Sequence, residues 1–334
     1  ELLVNSKTNK QTNKQTDMKN KLLAIIATLG LVASASAVKV NDNLSINGFI
    51  DGSYQQNDQN LGTTDPTVPA TAKDQALGVD EVELNFITNV GNVDGVINLD
   101  SHNGLKGVEV EQAHITYSLD NGVSFTLGKY GSALGFERED PTSLYTFSRA
   151  YQAGSGFNLG NIDEDNDQHV VEGLTVAYSG DAYSIAASFE NALSTDAEDD
   201  ELNLEISFAY TGIDNVNLGG GYFFDNQGDS NAEVDVLNLH ASTTFGKLFV
   251  AAEYTEQNKG GTNADLDGYL VLLDYDINNK LGVALRVSSN EIDAKSDYEK
   301  VTIAPNYAIT ESLGAIVEYS DVETAGTDSN EFAV

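Results

Sequence analysis

The chain has 334 residues, with 17 Lys or Arg against 52 Asp or Glu and a formal net charge of −35. That acid excess excludes wrapping a nucleic acid, whose phosphates need Lys and Arg to displace their counterions. The absence of Cys excludes a disulfide scaffold, a thiolate metal site and a cysteine nucleophile.

Residues 1–17 are rich in Lys, Asn, Gln and Thr and read as translated upstream sequence, outside the fold. Met18 opens a second start. Lys19 and Lys21 form a basic region, Leu22 to Val32 is largely apolar, and Ala35-Ser36-Ala37 supplies small residues for cleavage. Residues 18–37 therefore read as a secretory signal peptide, too short in its apolar part to span a membrane as a helix. Residues 38–334 are expected to form one domain.

From there on, alternation with period two dominates, the mark of strands with one apolar and one polar face. Leu202, Leu204, Ile206, Phe208 and Tyr210 alternate with Asn203, Glu205, Ser207 and Ala209; Leu281, Val283, Leu285 and Val287 alternate with Gly282, Ala284, Arg286 and Ser288. Sixteen strands are predicted: 44–55, 79–88, 93–101, 108–119, 123–130, 168–178, 182–191, 201–210, 216–225, 233–245, 248–255, 267–275, 281–289, 298–309, 313–320, and a stub from 331. The last reads as truncated, because a closing strand needs several more residues. Short connections such as Asp120-Asn121-Gly122 and Phe245-Gly246-Lys247 alternate with mostly longer, acidic ones: 56–78, 102–107, 131–167, 192–200, 226–232, 256–266, 290–297 and 321–330. This parity fits a transmembrane antiparallel barrel with short periplasmic turns and long extracellular loops. A soluble β-sandwich pair is the rival, and it has no reason to keep the parity.

Aromatic residues close both ends of the strands. Phe86, Tyr117, Tyr178, Tyr210, Phe245, Tyr275 and Tyr307 stand toward the short turns. Tyr54, Tyr130, Phe189, Tyr222 or Phe224, Tyr254 and Tyr319 stand toward the long loops. Such rings favour a membrane–water interface. Lipid offers backbone groups no partner, so a spanning sheet must close on itself. Four positions strain the pattern. Lys129 has lipid-facing parity, unless it lies beyond the apolar band or a bulge near Gly128 resets the phase. Pro305 forfeits one ladder bond. Val234 and Val236 share inward parity with Asn238 and His240.

The stretch Gln112 to Tyr151 contains Gly128-Lys129-Tyr130, Leu134-Gly135-Phe136-Glu137 and Phe147-Ser148-Arg149. With these elements, and with its opening strand SINGFIDGSYQ, the chain resembles the OmpL-like β-barrel porins, the β-barrel porin-2 family. The resemblance implies a Gram-negative outer-membrane porin, in contact with outer-membrane lipid and passing small hydrophilic solutes and ions by passive diffusion. A homotrimer is implied by the likeness to general porins. In those porins a long third loop folds inward. By that likeness Glu137, Arg138, Glu139, Asp140 and Arg149, in the longest connection, are candidate constriction residues. The alternative is that this loop lies over the mouth with its charges paired at the surface.

Parity assigns Asp51, Glu81, Glu83, Asp94, Asp100, Glu190, Glu201, Glu205, Asp225, Glu253, Asp274 and Glu318 to the interior, with only Arg286 and Lys300 as bases. A lining of one sign selects permeant ions of the other, so cation preference is expected. Asp163, Asp165 and Asp167 resemble the start of a calcium loop, but Gln168 and Leu174 stand where Gly and Glu are required, and the run reads as a solvated acidic loop. His102, His114, His169 and His240 are scattered without metal spacing. No hydrolase, phosphate-loop or zinc-protease motif occurs, so no enzyme, metal or cofactor is expected. The remaining alternative is a non-conducting barrel or adhesin whose acidic loops bind a partner.

Overall fold

The structure, a computed structural model, describes residues 37–60, 71–102, 107–138, 143–151, 170–191, 202–225, 234–259, 265–292, 295–324 and 327–334. Among these residues eighteen strands join in one antiparallel sheet. They are β1 (Val38–Asn41), β2 (Leu44–Asn60), β3 (Thr71–Val90), β4 (Val93–His102), β5 (Glu109–Ser118), β6 (Val123–Gly131), β7 (Val170–Ser179), β8 (Tyr183–Asn191) and β9 (Leu202–Ile213), then β10 (Val216–Phe224), β11 (Val234–Phe245), β12 (Leu248–Lys259), β13 (Leu266–Asp276), β14 (Leu281–Ile292), β15 (Lys295–Ala308), β16 (Gly314–Ile316), β17 (Glu318–Thr324) and β18 (Thr327–Ala333). Each pairs with its sequence neighbour, and β18 returns to β2, so the sheet closes into a barrel.

Eighteen strands fill sixteen places, because two places are shared. β16 and β17 lie along β15 in one unbroken register, Asn306 opposite Ile316 and Ile303 opposite Tyr319. The interruption falls opposite Pro305. Val317 donates its N–H to the Pro305 carbonyl at 2.9 Å, but proline has no N–H to return. The bond expected to be missing is thus what divides one strand into two. The second shared place adjoins β2, where β18 pairs with Gln55–Gln59 and β1 pairs with Leu44–Ile46.

The strand spans differ from expectation mainly at the long-loop rim. Residues 56–60 and 71–78, expected in a loop, extend the β2–β3 hairpin, with Asn60 opposite Thr71. Most of 321–330 is likewise strand. Polar Gln, Asn, Asp and Thr residues carry no period-two signal, and these pairs are held by the backbone ladder together with cross-strand bonds such as Lys73 with Asp58 at 2.7 Å. Short turns occupy the other rim; at Asp214–Asn215 the tight connection holds Asn215 at φ 61°.

Alternation separates two surfaces. On β14, Leu285 and Val287 are 41% and 42% exposed on the outside, while Ala284, Arg286 and Ser288 between them are buried. Outer tyrosines lay their rings on the apolar band and turn their hydroxyls toward the polar rim. Tyr254 donates to Asp267 at 2.7 Å and Tyr319 to Asn330 at 2.5 Å. Tyr130 departs from this row. It is buried on the inner face, within 2.8 Å of the Ser188 hydroxyl, as its shared parity with Ser124 and Thr126 requires. Lys129 stays on the outer face. Pairing runs through Gly128 and Lys129 without a shift, so no bulge resets the phase, and the Lys129 ammonium donates to the Val110 carbonyl near the rim.

Candidate functional site: a loop clamped to the inner wall

The connection after β6 turns inward at Ser132, and its described parts, 132–138 and 143–151, bond to four separated strands of the inner wall. Glu205 of β9 accepts from the Ser132 hydroxyl at 2.5 Å and the Ala133 N–H at 2.9 Å. Glu253 of β12 accepts from the Phe136 N–H and, at 3.1 Å, from the Tyr151 hydroxyl. Burial first, and then the adjacent Glu253, push the Tyr151 hydroxyl well above the ordinary tyrosine range, so it remains a donor. Glu318 of β17 accepts from both the N–H and the hydroxyl of Ser148.

Arg286 of β14 is the centre of the clamp and is wholly buried. It donates to Glu137 at 2.7 and 2.9 Å, to the Thr146 hydroxyl at 2.8 Å, to the Ser148 carbonyl at 2.6 Å and to the Arg149 carbonyl at 2.8 Å. The Glu137 side chain is itself 9% exposed and accepts from the Ala150 N–H at 2.7 Å. A guanidinium suits this role because its planar donors serve a carboxylate and backbone carbonyls together. Arg149 turns back on the loop and donates to the Glu137 carbonyl.

Apolar contacts complete the seating. Ala150 joins Ala251, Leu270, Leu272, Ala284 and Ala304 in one buried cluster, against which Phe136, Tyr145, Tyr151, Phe249 and Ile316 pack. Tyr145 and Phe249 stack at 4.8 Å. Leu134 packs with Phe223 and Val236 in a second cluster. This contact accounts for the inward Val236. A side chain at Gly221 would meet Leu134 at 2.6 Å, so glycine there lets the loop lie against the wall.

The candidate residues from the sequence fall into distinct environments. Glu137, Arg138 and Arg149 lie in the clamped loop; Glu139 and Asp140 lie outside the described residues, as do Glu201 and Asp163–Gln168. Glu205, Glu253 and Glu318 face inward and serve as acceptors for the loop. Arg286 is covered by the loop, and Lys300 pairs with Glu331 at 2.6 Å. Glu83 and Asp100 are opposed on β3 and β4 and are buried; Asp51 of β2 is opposite Glu81 nearby, while Asp94 pairs with Asn89 at the short-turn end of β4. Glu190 and Asp225 are buried, and Asp274 accepts from Asn306 at 3.2 Å. Among the described residues no group of three or more His, Asp or Glu side chains is arranged to hold a metal. Sequence reasoning missed Ser132, Ser148 and Tyr151, which donate to the wall carboxylates, and Thr146, whose hydroxyl accepts from Arg286. The available signal was apolar: Leu266, Leu270 and Leu272 have inward parity on β13, where a wetted wall would be polar.

A family model described as Gram-negative porin matches residues 23–327. Comparison with curated proteins gives no match. Among solved structures, a loop-deletion mutant of OmpT, an outer membrane protein of Vibrio cholerae, is similar with a TM-score of 0.59 at 14% identity, covering 87% of this chain and 98% of that one. An in-vitro folded OmpT of Vibrio cholerae in a trimer form gives 0.55 at 14%, with the same coverages. A mutant porin of Rh. blastica gives 0.50 at 17%, covering 86% and 98%. At these identities the likeness is one of fold.

Proposed function

The chain belongs to the Gram-negative porin family, and from that premise we propose that it is a cation-preferring diffusion channel narrowed by the clamped 131–167 loop. The observation that carries this reading is the fourfold attachment of the loop to β9, β12, β14 and β17. The clamp runs from β9 to β17; β2–β4, with Asp51, Glu81, Glu83, Asp94 and Asp100, lie on the remaining arc of the ring. Both inward bases are neutralised by carboxylates, Arg286 by Glu137 and Lys300 by Glu331. Acids far outnumber bases on the inward face of the strands, so the net fixed charge of the wall is negative, and a low-dielectric opening amplifies it. The five candidate constriction residues act in this scheme through the loop, with Glu137 serving mainly as its anchor. Residues 18–37 serve as the export signal, and the barrels assemble as trimers; the trimer form of the Vibrio cholerae OmpT supports the latter by analogy.

Planar-bilayer recording in a salt gradient tests the proposal. The reversal potential should indicate cation preference. Replacing Glu83 and Asp100 together by Gln and Asn should lower the cation-to-anion permeability ratio about fivefold, from ~1 kcal/mol of lost attraction. Anion preference in the unaltered protein would overturn the charge assignment. A barrel that never conducts would instead favour the adhesin reading.

A further inference from the structure

The short-turn rim is acidic over much of its length, with Asp120, Asp181 and Asp214 in three of its turns. The arc from the β11–β12 turn to the β15–β16 turn differs. Lys247 immediately precedes β12, and its ammonium donates to the Ile277 carbonyl of the next short turn at 2.9 Å. Lys280 immediately precedes β14, and its ammonium donates to the Ile309 carbonyl of the turn beyond at 3.0 Å. Both lysines therefore lean the same way along the rim. Neighbouring strands are about 4.8 Å apart, so two positions separated by two strands stand roughly 10 Å apart.

These two charges are not neutralised within the chain. Lys39, another lysine of this rim, is joined to Asp42 at 3.0 Å. Among the described residues, no carboxylate lies within ion-pair distance of Lys247 or Lys280. Asp276 shares the inward parity of Asp274. Glu311, in the β15–β16 turn, is the remaining acid of these three turns. Each ammonium has three donors and gives one to a carbonyl, which leaves two for a further acceptor.

The surroundings belong to the outer face. The Lys280 ammonium stands 5.9 Å from the centre of the Tyr307 ring, and Tyr307 shares the outward parity of the exposed Val301 and Ile303. Ile277, whose carbonyl holds Lys247, is exposed, as are Phe245, Tyr275, Ile309 and Leu313. Unneutralised cations beside exposed aromatic and aliphatic side chains at a barrel rim match a ligand that is anionic at one end and hydrocarbon at the other.

We propose that this arc of the short-turn rim is a binding site for an anionic phospholipid, with Lys247 and Lys280 holding the headgroup phosphate and Tyr275 and Tyr307 seating the first carbons of the acyl chains. The inference rests on the outer-membrane reading of the barrel and is independent of conduction.

The test is native mass spectrometry of the detergent-solubilised barrel, titrated with phosphatidylglycerol and, separately, with phosphatidylcholine. Phosphatidylglycerol should be retained preferentially. Lys247→Gln and Lys280→Gln should each weaken its retention about fivefold, and together about twenty-five-fold. Lys280→Arg should retain it, and Glu311→Gln should tighten it. Lys129→Gln, on the outer face near the opposite rim, should leave it unchanged. Equal retention of the two lipids by the unaltered barrel overturns the site. So does retention that survives the double lysine change. Competition by soluble glycerol phosphate at the same concentration as the lipid overturns the part given to the acyl chains. A barrel that conducts without lipid preference loses this site alone, whereas one that shows the lysine-dependent preference without conducting keeps the site and loses the channel reading.

Discussion

Replacing Arg286 by Met should raise the single-channel conductance and make the current noisy, while lowering the barrel's stability. The guanidinium donates to a carboxylate, two hydroxyls and two carbonyls of the loop. Without it the buried Glu137 carboxylate loses its ion-pair partner, which costs about 3–5 kcal/mol. The loop's least costly response is to carry Glu137 out to water. That breaks the seating of Ala150 on Leu270 and Leu272 and widens the passage. A second change, Glu137→Gln, should return part of the stability, since no charge is then stranded, but not the original conductance, because the loop still lacks its anchor. Such non-additivity is expected of groups in direct contact. Unaltered conductance in Arg286→Met would mean that the other three wall contacts hold the loop unaided.

One residue further along β14, the opposite substitution should do the damage. Val287 stands on the outer face, 42% exposed, about midway along the strand. Val287→Arg places a charge against lipid near the membrane centre and should cost about 2–4 kcal/mol. Reversible folding into bilayers, followed by urea titration, measures it. Val287→Leu should cost less than about 1.5 kcal/mol. An arginine tolerated at 287 would place that face in water, and the barrel's two surfaces would have to be exchanged. The pair of positions makes the point sharply: adjacent residues on a strand meet opposite media, so the same side chain is indispensable at one and excluded at the next.

The wall was legible because each strand states its two faces locally. The Leu202–Tyr210 series needs no distant information to predict which residues meet lipid, and the Pro305 interruption follows from a missing N–H. What could not be read was contact. Arg286 has the parity of an inner-wall residue and so looked like a pore lining. Its main partner, Glu137, is 149 positions away in a segment without periodicity. Glu205, Glu253 and Glu318 were placed on the correct face for the same reason, yet parity cannot say whether an inward carboxylate meets water or a backbone N–H. Tyr130 shows two signals in conflict. Its position at a strand end suggested the outer aromatic row, whereas alternation with Ser124 and Thr126 placed it inside, and alternation prevailed. Four-residue β1 is too short for any period, and the extended β2–β3 hairpin is built from polar pairs that leave no apolar trace.

The return of β18 to β2 has a consequence for assembly. The other strand pairs join segments close in sequence, β15 with β17 included, and can form one hairpin at a time, with little chain entropy lost at each step. The joint of β18 with β2 brings Ala333 to Gln55, across nearly the whole chain. It is therefore expected to be the slow step and to come last. Until it forms, β2 and β18 each carry a bare edge into the bilayer, where unpaired backbone is costly. The Lys300–Glu331 pair and the edge-on contact of Tyr54 with Phe332 straddle or adjoin this joint, so they report its completion. A mutation there should slow the sealing of the ring far more than it alters the finished channel.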